Sequence, residues 1–294
     1  MASPSFVFES NHGLISVMDT TLKNDAPALL LLHGNSSSSK IFRHICESPA
    51  VTSRWRVVTF CLPGHGSSSK APDPTKSYNM RGYAELAIQV LQRLNIESAV
   101  VLGWSLGGHI AIEMIDLLKH PDTFANSKKI ELKGIMITGT PPALGRDQVL
   151  QGFSMASEGS ELGLAGQRDW SEAEALAFSQ NSAAAGLEKF WEPWMYEDAK
   201  GTDPRVRCVM AQNFLDGVGA DQRRIVESKD VLIAVVNGAE EQFVDLAYLD
   251  NIRWKKLWRG NCMRLQGLHH APFWEEPDAF EKVLVEFVQD AERE

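Results

Sequence analysis

Gly103-Trp104-Ser105-Leu106-Gly107-Gly108 sets how the rest of this chain is read. It follows an apolar run, Ser98-Ala99-Val100-Val101-Leu102, that reads as a buried strand. It precedes His109-Ile110-Ala111-Ile112-Glu113-Met114-Ile115-Asp116-Leu117-Leu118, which reads as a helix. A serine on a sharp turn between strand and helix is a nucleophile elbow. The turn needs glycine at 103 and 107, because a side chain there would strike the neighbouring strand or helix. The helix aims its N-terminal amides and the positive end of its dipole at the serine, where a developing oxyanion would be stabilised. Composition alone yields the five-residue pattern in about one chain in ten of this length. The flanking elements and the downstream partners therefore carry the weight.

Moving outward, further apolar runs end in glycine turns: Ala28-Leu29-Leu30-Leu31-Leu32 before His33-Gly34, and Arg56-Val57-Val58-Thr59-Phe60 before Pro63-Gly64-His65-Gly66. Gly134-Ile135-Met136-Ile137-Thr138, Val231 to Val236 and Met263-Arg264-Leu265-Gln266 are three more strands. Phe6-Val7-Phe8 and Leu14 to Met18 form a hairpin around an Asn/Gly turn. Helical patterns run from Met80 to Leu94 and from Pro277 to Ala291. Strands apolar on both faces, alternating with helices, predict an α/β fold: a mostly parallel, roughly eight-stranded sheet with helices on both faces. From about Pro141 to Ser228 the rhythm breaks into helix-like stretches (Ser171 to Asn181, Pro204 to Phe214) and aromatics at Trp170, Phe190, Trp191, Trp194 and Tyr196. The expected division is a core of 1–140 and 229–294 with a helical cap, 141–228, inserted after the sixth strand. Trp104, Trp191 and Trp194 are the candidate substrate contacts.

The chain has 294 residues, 44% hydrophobic and 23% charged, enough for one large core. A net charge of −9 argues against nucleic acid and anionic membranes as partners. No apolar run reaches membrane-span length, and the N-terminus carries no signal-peptide pattern. Cys46, Cys61, Cys208 and Cys262 are scattered, which suggests reduced thiols and a cytoplasmic setting. No His/Asp/Glu spacing predicts a metal site, and no cofactor fingerprint is present; the elbow is not G-x-G-x-x-G. His33 and His65 read as turn-stabilising residues, and His12, His44 and His120 as surface ones. Oligomeric state is left open.

Two segments supply partners for Ser105. Strand 231–236 runs into Asn237-Gly238-Ala239-Glu240-Glu241, so an acid, Glu240 or Glu241, reaches across the top of the sheet. The last strand runs into Gly267-Leu268-His269-His270-Ala271-Pro272-Phe273, so a histidine, His269 or His270, can lie between serine and acid. Serine, acid, histidine is the chain order of hydrolases built on an elbow. The imidazole takes the serine proton, and the acid fixes its tautomer and stabilises the imidazolium.

With these pieces assembled, the chain resembles the α/β-hydrolase family over nearly its whole length. The resemblance rests on His33-Gly34-Asn35, Leu62-Pro63-Gly64-His65-Gly66-Ser67, the elbow, Gly238-Ala239-Glu240-Glu241 and His270-Ala271-Pro272-Phe273. It implies Ser105 as nucleophile, His270 as base, Glu241 as acid, and the backbone amides of Asn35 and Leu106 as the oxyanion hole. Glutamate stands here where aspartate is commoner, His269 where glycine is frequent, and Cys61 where many relatives carry aspartate. The implied activity is a serine hydrolase acting on an ester, thioester or lactone of a small, largely apolar molecule. Carbon–carbon bond hydrolysis, a lyase reaction, cofactor-free dioxygenation and a hydrolase-like ligand receptor use the same scaffold and are the alternatives.

Overall fold

Among the described residues eight strands form one sheet: β1 (Ser5–Ser10), β2 (Gly13–Asp19), β3 (Ala28–Leu32), β4 (Val57–Phe60), β5 (Ser98–Trp104), β6 (Glu131–Thr138), β7 (Leu232–Gly238) and β8 (Met263–Leu265). Their spatial order is β1-β2-β4-β3-β5-β6-β7-β8. This computed structural model describes residues 5–119, 129–154 and 163–294. β1 and β2 are an antiparallel hairpin whose second strand pairs antiparallel with β4, and every later pairing is parallel. All eight strands read from the sequence are present. β5 runs two residues further than its apolar run, through Gly103 and Trp104, because Trp104 still pairs with Thr138 of β6.

The central strands are buried on both faces, and their alternation divides the core in two. Leu30, Leu32, Val101, Ile135 and Ile137 face the helices Met80–Arg93 and Leu106–Lys119. Leu29, Leu31, Val100, Leu102 and Met136 face the C-terminal helix Pro277–Glu292, through Phe280, Leu284 and Phe287. Period-two strands between period-3.6 helices thus produce three layers from sequence pattern alone.

Between β6 and β7 the chain forms helices Arg146–Gly152, Glu172–Ser182, Pro193–Gly201, Pro204–Leu215 and Gln222–Ser228. Their starts are chemically marked. Ser171 and Glu174 make a reciprocal capping box, and Pro193 and Pro204 each occupy a first helical turn, where a missing N–H costs nothing.

One histidine expected at the surface lies inside. His12 is fully buried because the β1–β2 turn packs on the segment Pro74–Ser77, bringing its Nδ1 to 3.0 Å from Ser77 Oγ. His44 is half-buried with its ring against Trp274, and His120 lies outside the described residues. All four cysteines are unpaired. Among the described residues no helix is long and apolar enough to cross a membrane, and no group of three or more His, Cys, Asp and Glu side chains is arranged to hold a metal.

Candidate active site

The elbow closes as its glycines require. A Cβ on Gly103 would meet Gly107 O at 2.3 Å, and one on Gly107 would meet Leu32 O at 1.9 Å, so the helix start is wedged against both β5 and β3. Ser105 sits at the tip with φ of 54°, a left-handed conformation that costs a non-glycine residue about 1–3 kcal/mol. The surroundings hold it there. Ser105 N–H donates to Thr138 O at 2.8 Å, and Ser105 O accepts from Gly108 N–H (2.9 Å) and Thr140 Oγ1 (2.8 Å).

Past the end of β7 the acid loop is pinned to the β8 loop by Ala239 N–H to Leu265 O and Glu240 N–H to Leu268 O, each 2.9 Å. Glu241 then turns inward. Its carboxylate is fully buried and accepts from Phe243 N–H at 2.8 Å and from His270 Nδ1 at 2.8 and 3.0 Å. Glu240 is exposed. A carboxylate on Nδ1 places the imidazole proton there and leaves the Nε2 lone pair as acceptor. Gly139, at φ +62°, makes room for the ring: a Cβ there would lie 2.4 Å from His270 Cε1.

His269 is committed elsewhere. Its Nδ1 lies 2.9 Å from Glu275 Oε2, so the adjacent imidazoles face two different carboxylates. Geometry thus separates both pairs of alternatives, Glu240 or Glu241 and His269 or His270, and brings Glu241 and His270 together.

Ser105 and His270 line one cavity of about 410 Å³ with Asn35, Trp104, Phe153, Leu164, Ala165, Phe178, Asn181 and Phe243 among its walls. A larger hollow elsewhere, of about 930 Å³ around Lys23, Arg56 and Glu131, is polar and open and contains none of these groups. Asn35 reaches the cavity because Gly34 lets its loop approach the elbow; a Cβ on Gly34 would lie 3.3 Å from Ser105 Cβ. The Asn35 side chain donates to Ala165 O at 2.9 Å, tying that loop to the segment between β6 and β7. Leu106 is the first residue of the elbow helix, its side chain in the core.

Beneath the site, His33 and His65 are fully buried and neutral. Leu62 N–H donates to His33 Nε2 at 2.9 Å, so the His33 proton sits on Nδ1 and is donated to Gly34 O at 2.8 Å. Burial lowers the His33 pKa to about 4. Burial and the neighbouring His33 lower that of His65 to about 3. Both are turn-stabilising residues, as their glycine-loop setting suggests.

The model of the Alpha/beta hydrolase family matches residues 29–283. This chain belongs to that family. Among solved structures, the hydrolase is similar to the N-acyl homoserine lactonase AidH complexed with N-butanoyl homoserine: 40% identity, 98% of this chain and 97% of that one covered, TM-score 0.86. Among curated proteins it is 23% identical, over 90% of its length and 93% of the relative's, to the pimeloyl-[acyl-carrier protein] methyl ester esterase of Yersinia enterocolitica. A shorter stretch is 38% identical to the magnesium-chelatase 30 kDa subunit of Rhodobacter capsulatus, where it spans only 30% of that protein.

Of the three tryptophans singled out in this hydrolase, only Trp104 is on the cavity wall. Trp191 donates to Ser179 Oγ at 3.1 Å, and Trp194 stands edge-on to Trp274, 5.5 Å between ring centres. Both join the second core cluster, with Trp274 in turn donating to Phe190 O. They pack the segment between β6 and β7 onto the helix after His270 and do not line this cavity. The walls come instead from Phe153, Leu164, Phe178 and Phe243, isolated apolar residues that form no cluster in the sequence.

Proposed function

We propose that this hydrolase cleaves small acylated lactones and related esters by a serine mechanism. Ser105 attacks the carbonyl, His270 takes its proton through Nε2, and Glu241 holds the ring and stabilises the imidazolium. The amides of Asn35 and Leu106 receive the oxyanion. Collapse of the tetrahedral intermediate opens the lactone or expels the alcohol, which takes the proton from His270. Water activated by the same imidazole then releases the acyl group and restores Ser105.

The observation that carries this reading is the buried Glu241 carboxylate, 2.8 Å from the Nδ1 of an imidazole lining the same cavity as a serine at positive φ. Support for the substrate class comes from the lactonase of 40% identity and from the cavity itself. Its volume is in the range of small-molecule sites, its walls are mostly apolar, and a few amide side chains (Asn35, Asn181, Gln242) are set among them. We read the described part of 141–228 as a lid, because Leu164, Ala165, Ala177, Phe178 and Asn181 line the cavity together with the core residues Asn35, Ser105 and His270. Bulk water excluded by such a lid strengthens the electrostatics inside.

The test is turnover of a panel of N-acyl homoserine lactones and p-nitrophenyl esters of increasing acyl length. Parent protein is expected to open short-chain lactones, and Ser105→Ala to lose at least about 10³-fold in kcat/KM. A parent inactive on every lactone and ester would overturn the substrate class, and an unimpaired Ser105→Ala would overturn the mechanism.

A further inference from the structure

Glu275, the last residue of the short helix Pro272–Glu275, has a fully buried carboxylate, and the groups it accepts from surround His270. Oε2 accepts from His269 N–H at 2.9 Å and from His269 Nδ1 at 2.9 Å. Oε1 accepts from His269 N–H at 3.1 Å and from Ala271 N–H at 3.2 Å. One carboxylate therefore binds the amides of the residues immediately before and after the base. Between them, the carbonyl of His270 accepts the indole N–H of Trp104 at 2.9 Å.

We propose that Glu275 is a positioning residue for His270, acting through the two flanking peptide groups. This inference rests on the reading of His270 as the base. A buried carboxylate is expensive unless it collects several donors, and a carboxylate that only capped its own helix would stop at the N-cap amide. Glu275 binds the amide of Ala271, the N-cap of its helix, and also reaches past it to the amide and ring of His269 in the loop before. With the peptides on both sides of His270 held, the backbone cannot turn the imidazole away from Glu241 and Ser105. Misplacement of a catalytic group by an ångström costs about 10²-fold in rate. The same carboxylate draws the His269 ring away from Glu241, so a second imidazole does not compete for the acid.

The experiment compares Glu275→Gln, His269→Ala and His270→Ala in the full-length protein, by steady-state kinetics on a p-nitrophenyl ester, fluorophosphonate labelling rate at Ser105 and thermal melting. Glutamine keeps the shape but offers one acceptor oxygen and turns an NH₂ toward an amide N–H. E275Q is expected to lower kcat about 10- to 100-fold and labelling by the same factor, with KM within about threefold of the parent. H269A keeps both backbone contacts and is expected to retain kcat within about threefold. Parental kcat and labelling in a folded E275Q, with only the melting temperature reduced, would assign Glu275 a purely structural role. A loss in H269A as large as in E275Q would assign the effect to the imidazole and overturn the backbone mechanism. If E275Q does not fold, E275D, whose carboxylate is retracted by one methylene, is expected to lower kcat at unchanged KM, and parental kcat there overturns the proposal. H270A separates the two levels: a parental rate in H270A overturns the base assignment as well, whereas an inactive H270A with an active E275Q overturns only the role of Glu275.

Discussion

Trp104 donates its indole N–H to the carbonyl oxygen of His270 at 2.9 Å, so the residue before the elbow serine holds the residue that carries the imidazole. The two segments are 166 positions apart in sequence, and this bond is buried. Trp104→Phe keeps most of the ring and removes the donor, leaving a buried carbonyl unpaired. The expected destabilisation is about 1–3 kcal/mol in urea unfolding, with a reduced kcat. Unchanged stability and kcat would mean that the bond does not hold the loop.

The acid assignment makes a paired prediction. Glu241 is buried on His270 Nδ1, and its neighbour Glu240 is exposed. Glu241→Gln presents an NH₂ where an acceptor is needed and favours the wrong tautomer; kcat is expected to fall about 10²- to 10⁴-fold. Glu240→Gln is expected to leave kcat within about twofold. Steady-state kinetics of the two variants decide the assignment, and a larger loss in Glu240→Gln would reverse it.

A third prediction concerns acid. His33 and His65 have folded-state pKa values depressed to about 4 and about 3, below the unfolded value near 6.5. Below pH 6.5 the unfolded chain therefore binds protons that the folded one refuses. Their contribution to stability is complete above pH 6.5 and is lost as pH falls toward 4 and 3, with a slope of up to about 1.4 kcal/mol per pH unit for each proton. Protonation of His33 Nε2 also opposes the Leu62 N–H and breaks the loop that carries Asn35. Urea midpoints are expected to be insensitive to these groups above pH 6.5 and to fall below it, while the His33 and His65 ring resonances stay neutral down to about pH 5. Titration of either ring near pH 6.5 would contradict the buried, neutral state.

The cavity walls give a fourth. Phe178 lines the cavity, whereas Trp191 is bonded to Ser179 behind it. Phe178→Ala is expected to raise KM for longer acyl chains several-fold, following about 1–3 kcal/mol of lost apolar contact. Trp191→Phe is expected to leave KM unchanged and to lower the melting temperature. A KM effect confined to Trp191→Phe would place the substrate on the Trp191 side of helix Glu172–Ser182.

Much of this was legible in the sequence because the physics is local. The sheet strands are short apolar runs ended by glycine, and Ser105, Glu241 and His270 lie in the turns that follow three of them. Other features became readable only with the fold. His12 sits in a polar Asn/Gly turn and looks exposed, yet a contact with Ser77, 65 positions away, buries it. Trp191 and Trp194 cluster in sequence, but Trp194 and Trp274 meet across a long separation and draw the cluster onto the core, leaving the cavity to Phe153 and Phe178. Gly139 and Glu275 carry no motif; their importance lies in what a Cβ would strike and which amides a carboxylate can reach.

The proposed mechanism requires Ser105 to be an activated nucleophile. Its most direct test is mass spectrometry of the intact protein and its peptides after brief reaction with a fluorophosphonate. One adduct per chain is expected, on the peptide containing Ser105, absent in Ser105→Ala and strongly slowed in His270→Ala. A protein that hydrolyses its ester or lactone substrate while Ser105 stays unlabelled, or that labels equally well without His270, would contradict it.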